Sequence, residues 1–168
     1  MSTPVIDRFS GKYEFLSNFF PCQPGIQLHF GFCGEDVRYY RTIEHAFQAS
    51  KTLDPEWRTK IYVAAGPGIA KRLGRAAPMR LDWESIRIPV MAEYLRQKFK
   101  DRVLAKMLLD TGHTRLVEGN TWGDKFWGVC DGVGQNHLGH LLALVRWELQ
   151  GKSAHTARAY QQNFGDFE

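Results

Sequence analysis

Cysteine is scarce and scattered in this sequence: Cys22, Cys33 and Cys130 are widely spaced and form no C-x-x-C pair. An odd, dispersed set argues against a disulfide framework and against a zinc knuckle, so three quiet, partly buried thiols are expected. No apolar run approaches membrane-spanning length, which argues against a membrane partner. The opening MSTPVIDRFSGKY has neither the basic start nor the apolar stretch of a signal peptide, and a cytoplasmic protein is expected. Also missing are a G-x-S-x-G nucleophile elbow, a G-x-x-x-x-G-K-[ST] phosphate loop, an H-E-x-x-H pair and a dinucleotide G-x-G-x-x-G after a strand. His137 and His140 stand three apart, a spacing that permits metal ligation. Without a third ligand nearby they read as surface or capping residues, and neither metal nor cofactor is expected.

What is present suits one globular domain. The 168 residues are 43% hydrophobic and 13% aromatic, enough to bury a core and too few for two comfortable domains. The net charge of +4 is unevenly placed: eleven Lys and Arg lie from Arg58 to Arg102 against four acids, Asp82, Glu84, Glu93 and Asp101. Such a stretch either invites a phosphate, a nucleotide or nucleic acid, or consists of solvated helix faces.

The patterning predicts a mostly helical α+β domain over residues 1–150 with one small antiparallel sheet, followed by a polar tail over 151–168. Residues 13–40 look extended, with QLHF and VRYY alternating around GFCGED as a β-hairpin. Thr42 can cap a helix from Ile43 to about Thr52, and Asp54-Pro55 can start another with Trp57, Ile61 and Ala65 facing in. GPG at 66–68 breaks the chain before a short basic helix. Asp82 caps the longest helix, where Trp83, Arg87, Met91, Leu95 and Phe99 recur at four-residue steps, and Gly112 closes the helical run after 101. RLVEG reads as a short strand. A last helix, 137–149, turns Leu138, Leu141, Leu142, Val145 and Leu149 inward.

Three stretches could carry chemistry. In TIEHAFQASK (42–51), offsets of four and seven bring Glu44, Gln48 and Lys51 into line on one helix face. The line is either a solvated stripe or the wall of a site, where a carboxylate moves protons and a buried lysine serves as a nucleophilic amine. About 10 Å of rise over seven residues keeps Glu44 and Lys51 from pairing as an i,i+4 bridge would. In GPGIAKRLGR (66–75), a glycine turn opens a helix bearing Lys71, Arg72 and Arg75, an anion site or a plain glycine cap. In NTWGDKFWGVCDGVGQNHLG (120–139), two tryptophans and five glycines stand among two aspartates and two asparagines, a composition that suits a ligand-binding loop. KYEFLSNFFP (12–21) frames Ser17 and Asn18 with Phe15, Phe19 and Phe20, as a binding turn or as a strand with one polar turn.

Taken in order, FLSNFFP, TIEHAFQASK, AAGPGIAKRLGR, DWESIRIPVMAEYLRQKF, LLDTGHTRLVEGNTWGDKFWG and GQNHLGHLLALVRWEL resemble the NADAR family, the YbiA-like N-glycosidases, from about Phe9 to Leu149. The resemblance implies a largely helical α+β fold and cleavage of an N-glycosidic bond at ribose C1. Its substrates would be phosphoribosylamino-pyrimidine intermediates of riboflavin synthesis, or ADP-ribose attached to guanine in DNA. Glu44 and Lys51 match the acidic and lysine positions of the family's E-H-x-F-Q-x-x-K helix, with the carboxylate expected in proton transfer and the lysine in a transient Schiff base with the opened ribose. Asn18, Phe19, His45, Gln48, Trp83, Asp124, Trp127, Gly128 and Asn136 are the positions expected to line the pocket, with Lys71, Arg72 and Arg75 as a weaker phosphate site. Phe20 stands where tyrosine is common, which leaves the catalytic helix intact. Glycosidases usually use two carboxylates, and Asp124 or Asp131 could be the second. The competing class is a non-catalytic module that only recognises ADP-ribose.

Overall fold

A computed structural model describes residues 4–30 and 36–151. In chain order the described residues form β1 (Val5–Ile6), a 3-10 helix (Gly11–Leu16), β2 (Pro21–Phe30), β3 (Asp36–Thr42), α1 (Ile43–Ser50), α2 (Pro55–Tyr62) and α3 (Pro67–Ala76). Then follow α4 (Trp83–Lys98), α5 (Arg102–Asp110), β4 (Arg115–Leu116), β5 (Gly119–Asn120), β6 (Val129–Cys130) and α6 (His137–Leu149). The fold is α+β and predominantly helical. Contacts gather into two compact units, one formed by Phe9–Leu104, the other by the described residues of Met1–Arg8 and Ala105–Glu168.

In the Phe9–Leu104 unit the chain is extended later than the pattern suggests. Residues 13–16 belong to the 3-10 helix, where Phe15 and Leu16 are both buried. Two consecutive apolar side chains cannot share one face of a strand, but a tight turn admits both. β2 and β3 then pair antiparallel, with Gln27 opposite Tyr39 and a register shift between Pro21 and Ile26. The turn expected between them, and Cys33 within it, lie outside the described residues.

Helix starts follow local chemistry closely. Thr42 Oγ1 accepts from His45 N at 3.2 Å, and the Asn18 carbonyl accepts from Glu44 N at 3.0 Å, so two of the free amides at the start of α1 are satisfied. Asp54 accepts from Glu56 N and Trp57 N at 2.8 and 3.2 Å, with Pro55 in the first turn of α2. Ends and faces differ more. α1 stops at Ser50, two residues early. α2 stops at Tyr62, so the inward residues are Ile61 and Ala64 while Ala65 is exposed. α3 already begins at Pro67, leaving Gly66 alone as the break. Asp82 precedes α4 as expected, but its carboxylate is taken by Arg80 at 2.6 and 2.9 Å and makes no cap bond. Trp83, Met91 and Leu95 form a buried stripe of α4, continued by Phe99 just past its end, while Arg87 of the expected stripe is half-buried and paired with Glu84 at 2.8 Å.

The second unit holds two short parallel pairs, β1 with β4 and β5 with β6. Among the described residues, the single antiparallel sheet of the sequence reading is three two-stranded pairs, of which only the hairpin is antiparallel. Two-residue strands joined across long stretches of chain leave no period-2 signal. Gly112 N donates to the Leu109 carbonyl after α5, as expected of a closing residue. α6 buries Leu138, Leu142 and Val145, whereas Leu149 at its end is exposed. The tail from 152 lies outside the described residues. No helix among those described is long and apolar enough to cross a membrane.

Candidate functional site

The face of α1 is not a solvated stripe. All eight of its residues are buried, with Glu44 only 6% and Gln48 only 5% exposed, and Lys51 half-buried at the helix end. A carboxylate and an amide are withdrawn from water only where partners hold them: Gln48 Nε2 donates to Glu44 Oε1 at 2.8 Å. Space for that amide comes from α3. A Cβ at Gly74 would collide with Oε1, Cβ and Cδ of Gln48, so only glycine lets the two helices meet there.

Lys51 is the electrostatic counterpart. Burial pushes its ammonium below the usual lysine range; Glu44 pulls the other way, and Arg75 and Lys71 add to the lowering. Lys71 and Arg75 are one turn apart on α3, and Lys71 Nζ stands 5.9 Å from the Phe19 ring. Arg72, of the same expected phosphate set, is exposed and does not figure among the charges acting on Lys51.

The turn after the 3-10 helix supplies Asn18 and Phe19. Asn18 Nδ2 makes a 3.5 Å contact with Met91 Sδ, while its Oδ1 is buried with no hydrogen-bond partner. Phe19 is 42% exposed. Lys98, only 2% exposed, anchors this turn: its Nζ donates to the Ser17 carbonyl at 2.7 Å and lies over Phe20 and Phe99. Neither Gly74 nor Lys98 was singled out from the sequence. A glycine inside a helix pattern marks close approach, and Lys98 lies three and seven residues from buried Leu95 and Met91, so both had a readable signal.

Two expected pocket residues face inward instead. His45 has its Nδ1 on Thr42 Oγ1 at 2.8 Å and its Nε2 donating to the Ala64 carbonyl at 3.3 Å, which leaves no ring nitrogen for a ligand. Burial lowers its pKa, in keeping with a neutral ring. Trp83 is buried edge-on against Phe47, ring centres 4.8 Å apart. A cavity of about 1200 Å³ between the hairpin and α4, lined by Gln23, Tyr39, Pro89, Gln97 and Lys100 among others, includes none of the predicted site residues.

In the second unit, the glycine-rich segment holds itself together. Asp124 Oδ1 accepts from Phe126 N and Trp127 N at 3.1 and 2.9 Å, and Asn120 bonds both the amide and the carbonyl of Asp124. A Cβ at Gly128 would meet the Glu118 carbonyl and Asn120 Nδ2. Asn136, left-handed at φ 54°, is buried and clamps the start of α6: Oδ1 accepts from Glu118 N at 3.0 Å and Nδ2 donates to the Leu116 carbonyl at 2.8 Å. Trp127 packs edge-on to Phe126, ring centres 4.9 Å apart. His137, expected as a surface or capping residue, is the first residue of α6 and is buried, with its ring 4.3 Å from that of Phe126. Cys22 and Cys130 are free and buried, and burial raises the Cys22 thiol above its ordinary pKa. Among the described residues no three His, Cys, Asp or Glu side chains are placed to hold a metal ion.

The structure thus defines a helical α+β protein with an acid, an amide and an amine aligned on one buried helix face. The NADAR domain family model matches residues 7–150, and the chain belongs to that family. It is 41% identical over 118 residues to the N-glycosidase YbiA of Escherichia coli, covering 68% of this chain and 73% of that one. It is 39% identical over 143 residues to a riboflavin biosynthesis protein of Vibrio vulnificus, covering 83% of this chain and 36% of the relative. The solved NMR structure of E. coli YbiA superposes with a TM-score of 0.72 at 35% identity, over 89% of this chain and 87% of that one.

Proposed function

We propose that this chain is an N-glycosidase that hydrolyses the bond between ribose C1 and a base nitrogen in ribose-phosphate conjugates, phosphoribosylamino-pyrimidines first among them. The N-glycosidase and riboflavin biosynthesis names of its relatives support the reaction class and that substrate. The observation that carries the reading is the α1 face, where a buried carboxylate and, two turns on at the helix end, a lysine whose charge is disfavoured stand in line. The reacting domain ends at residue 150, ahead of the polar tail, and works in the cytoplasm.

In this mechanism Glu44 delivers a proton as the sugar opens at C1 or gains cationic character there. The neutral Lys51 amine adds its lone pair to C1, and the C1–base bond breaks with the leaving nitrogen protonated. Water then adds to C1 and gives up a proton to the Glu44 carboxylate, and the C1–lysine bond breaks with its electron pair returning to the amine, which releases the ribose phosphate. Asn18 presents an acceptor to a sugar hydroxyl, Phe19 a face to the heterocycle, and Lys71 with Arg75 a field for the phosphate. Arg72 and Trp83 support this pocket through the helices they belong to.

A second substrate, ADP-ribosyl-guanine in DNA, is favoured by the exposed Arg72 and Arg75 on α3. Binding to an oligonucleotide with a steep salt dependence would mark that case. One assay separates the readings: the purified protein is offered a phosphoribosylamino-pyrimidine and an ADP-ribosylated guanine oligonucleotide, and base release is followed. Release from the first, lost in Glu44→Gln and Lys51→Ala, is the expected result. Binding of ADP-ribose without any release would leave only a recognition module. Borohydride added during turnover should trap an adduct on Lys51; turnover without an adduct would mean that Glu44 activates water directly.

A further inference from the structure

Gln48 stands between Glu44 and Lys51 on α1, 5% exposed, and its two polar atoms have different surroundings. Nε2 donates to Glu44 Oε1 at 2.8 Å. Oε1 is buried without a hydrogen-bond partner and lies against Gly74 of α3, at the place a Cβ would occupy. The sense of the amide is chemically determined: a carboxylate only accepts, so the NH2 group turns to Glu44 and the oxygen turns to α3. An amide also neither takes up nor releases a proton near neutrality, so it cannot be the acid.

We propose that Gln48 is a positioning residue rather than a substrate contact: backed by Gly74, it fixes one oxygen and hence the plane of the Glu44 carboxylate. Its role in turnover rests on the reading of Glu44 as the proton carrier, but the contact itself can be measured without turnover. The same geometry explains a glycine in the interior of α3, since any larger residue would push the amide off Glu44. It also links α3, which carries Lys71 and Arg75, to the carboxylate on α1.

The test is a carboxyl-carbon NMR titration of glutamate-labelled protein, with the Glu44 resonance assigned by its loss in Glu44→Gln. The charges that act on Lys51, just beyond α1, include Lys71 and Arg75 on α3 and Glu84 on α4. None of them is changed in the variants, so a shift reports the lost N–H donor. Gln48→Leu keeps the volume of the helix contact and removes the donor, which disfavours the ionised carboxylate. The Glu44 midpoint should rise by about one pH unit, and kcat should fall several-fold with KM held. Gly74→Ala should move the midpoint in the same direction, and Gln48→Leu alone decides if that variant does not fold. A midpoint unmoved in Gln48→Leu, or a raised KM with unchanged kcat, overturns the proposal. If the midpoint moves but the native protein releases no base from either conjugate, the positioning contact stands and the glycosidase reading falls.

Discussion

The α1 face and the glycine-rich segment 119–139 use similar side chains to opposite ends. On α1, the polar groups are held by a few partners and retain unused capacity: Gln48 Oε1, and Asn18 Oδ1 on the adjoining turn, are buried without hydrogen bonds. In 119–139, Asn120 and Asp124 bond the segment's own backbone, and Asn136 ties it to Leu116 and Glu118. A loop without regular ladders must satisfy its backbone from somewhere, and short amide and carboxylate side chains are what it has.

The comparison can be tested where it predicts the largest change. Glu44→Gln and Lys51→Ala should each lower base release by about a thousandfold while thermal melting shows the protein still folded; near-native turnover in either would remove α1 from the chemistry. Asn136→Ala should act through stability. It loses two buried hydrogen bonds at a left-handed position and should cost about 3 kcal/mol in urea unfolding with KM unchanged. A stable variant with weakened substrate binding would instead make the loop a ligand site.

Smaller effects separate Arg75 from Arg72. Arg75→Ala should raise KM for a phosphorylated substrate by about tenfold, one charge-assisted contact, and Arg72→Ala should leave it near native; equal effects would mean a diffuse basic surface. The smallest concerns Lys51 itself. Its folded pKa lies below its unfolded one, so the unfolded chain binds more protons between the two values. This lysine's contribution to stability therefore improves as pH rises through that window and is unfavourable below it. Lys51→Met should melt slightly higher than native at neutral pH, and that gain should vanish towards the ordinary lysine pKa; a lower melting point at neutral pH would show that the charge is well solvated.

Much of the fold could be read directly. Thr42 and Asp54 start helices because a short oxygen-bearing side chain reaches free amides two or three residues on, a purely local event. The Trp83, Met91, Leu95, Phe99 stripe follows from helix period alone. The misreadings share a cause. Residues 13–16, the inward side of α2 and the two-residue parallel strands depend on what packs against them, which no local pattern encodes.

For the site, the sequence by itself determined the alignment of Glu44, Gln48 and Lys51, since helix geometry places offsets of four and seven on one face whatever surrounds them. Only the tertiary structure decided that this face is buried. Packing of α3 at Gly74 withdraws Glu44 and Gln48 from water, and desolvation together with Lys71 and Arg75 disfavours the charge on Lys51. Burial depends on neighbours brought from elsewhere in the chain, and with it comes the change from an ordinary polar stripe to a desolvated acid and amide beside an amine whose charge is disfavoured.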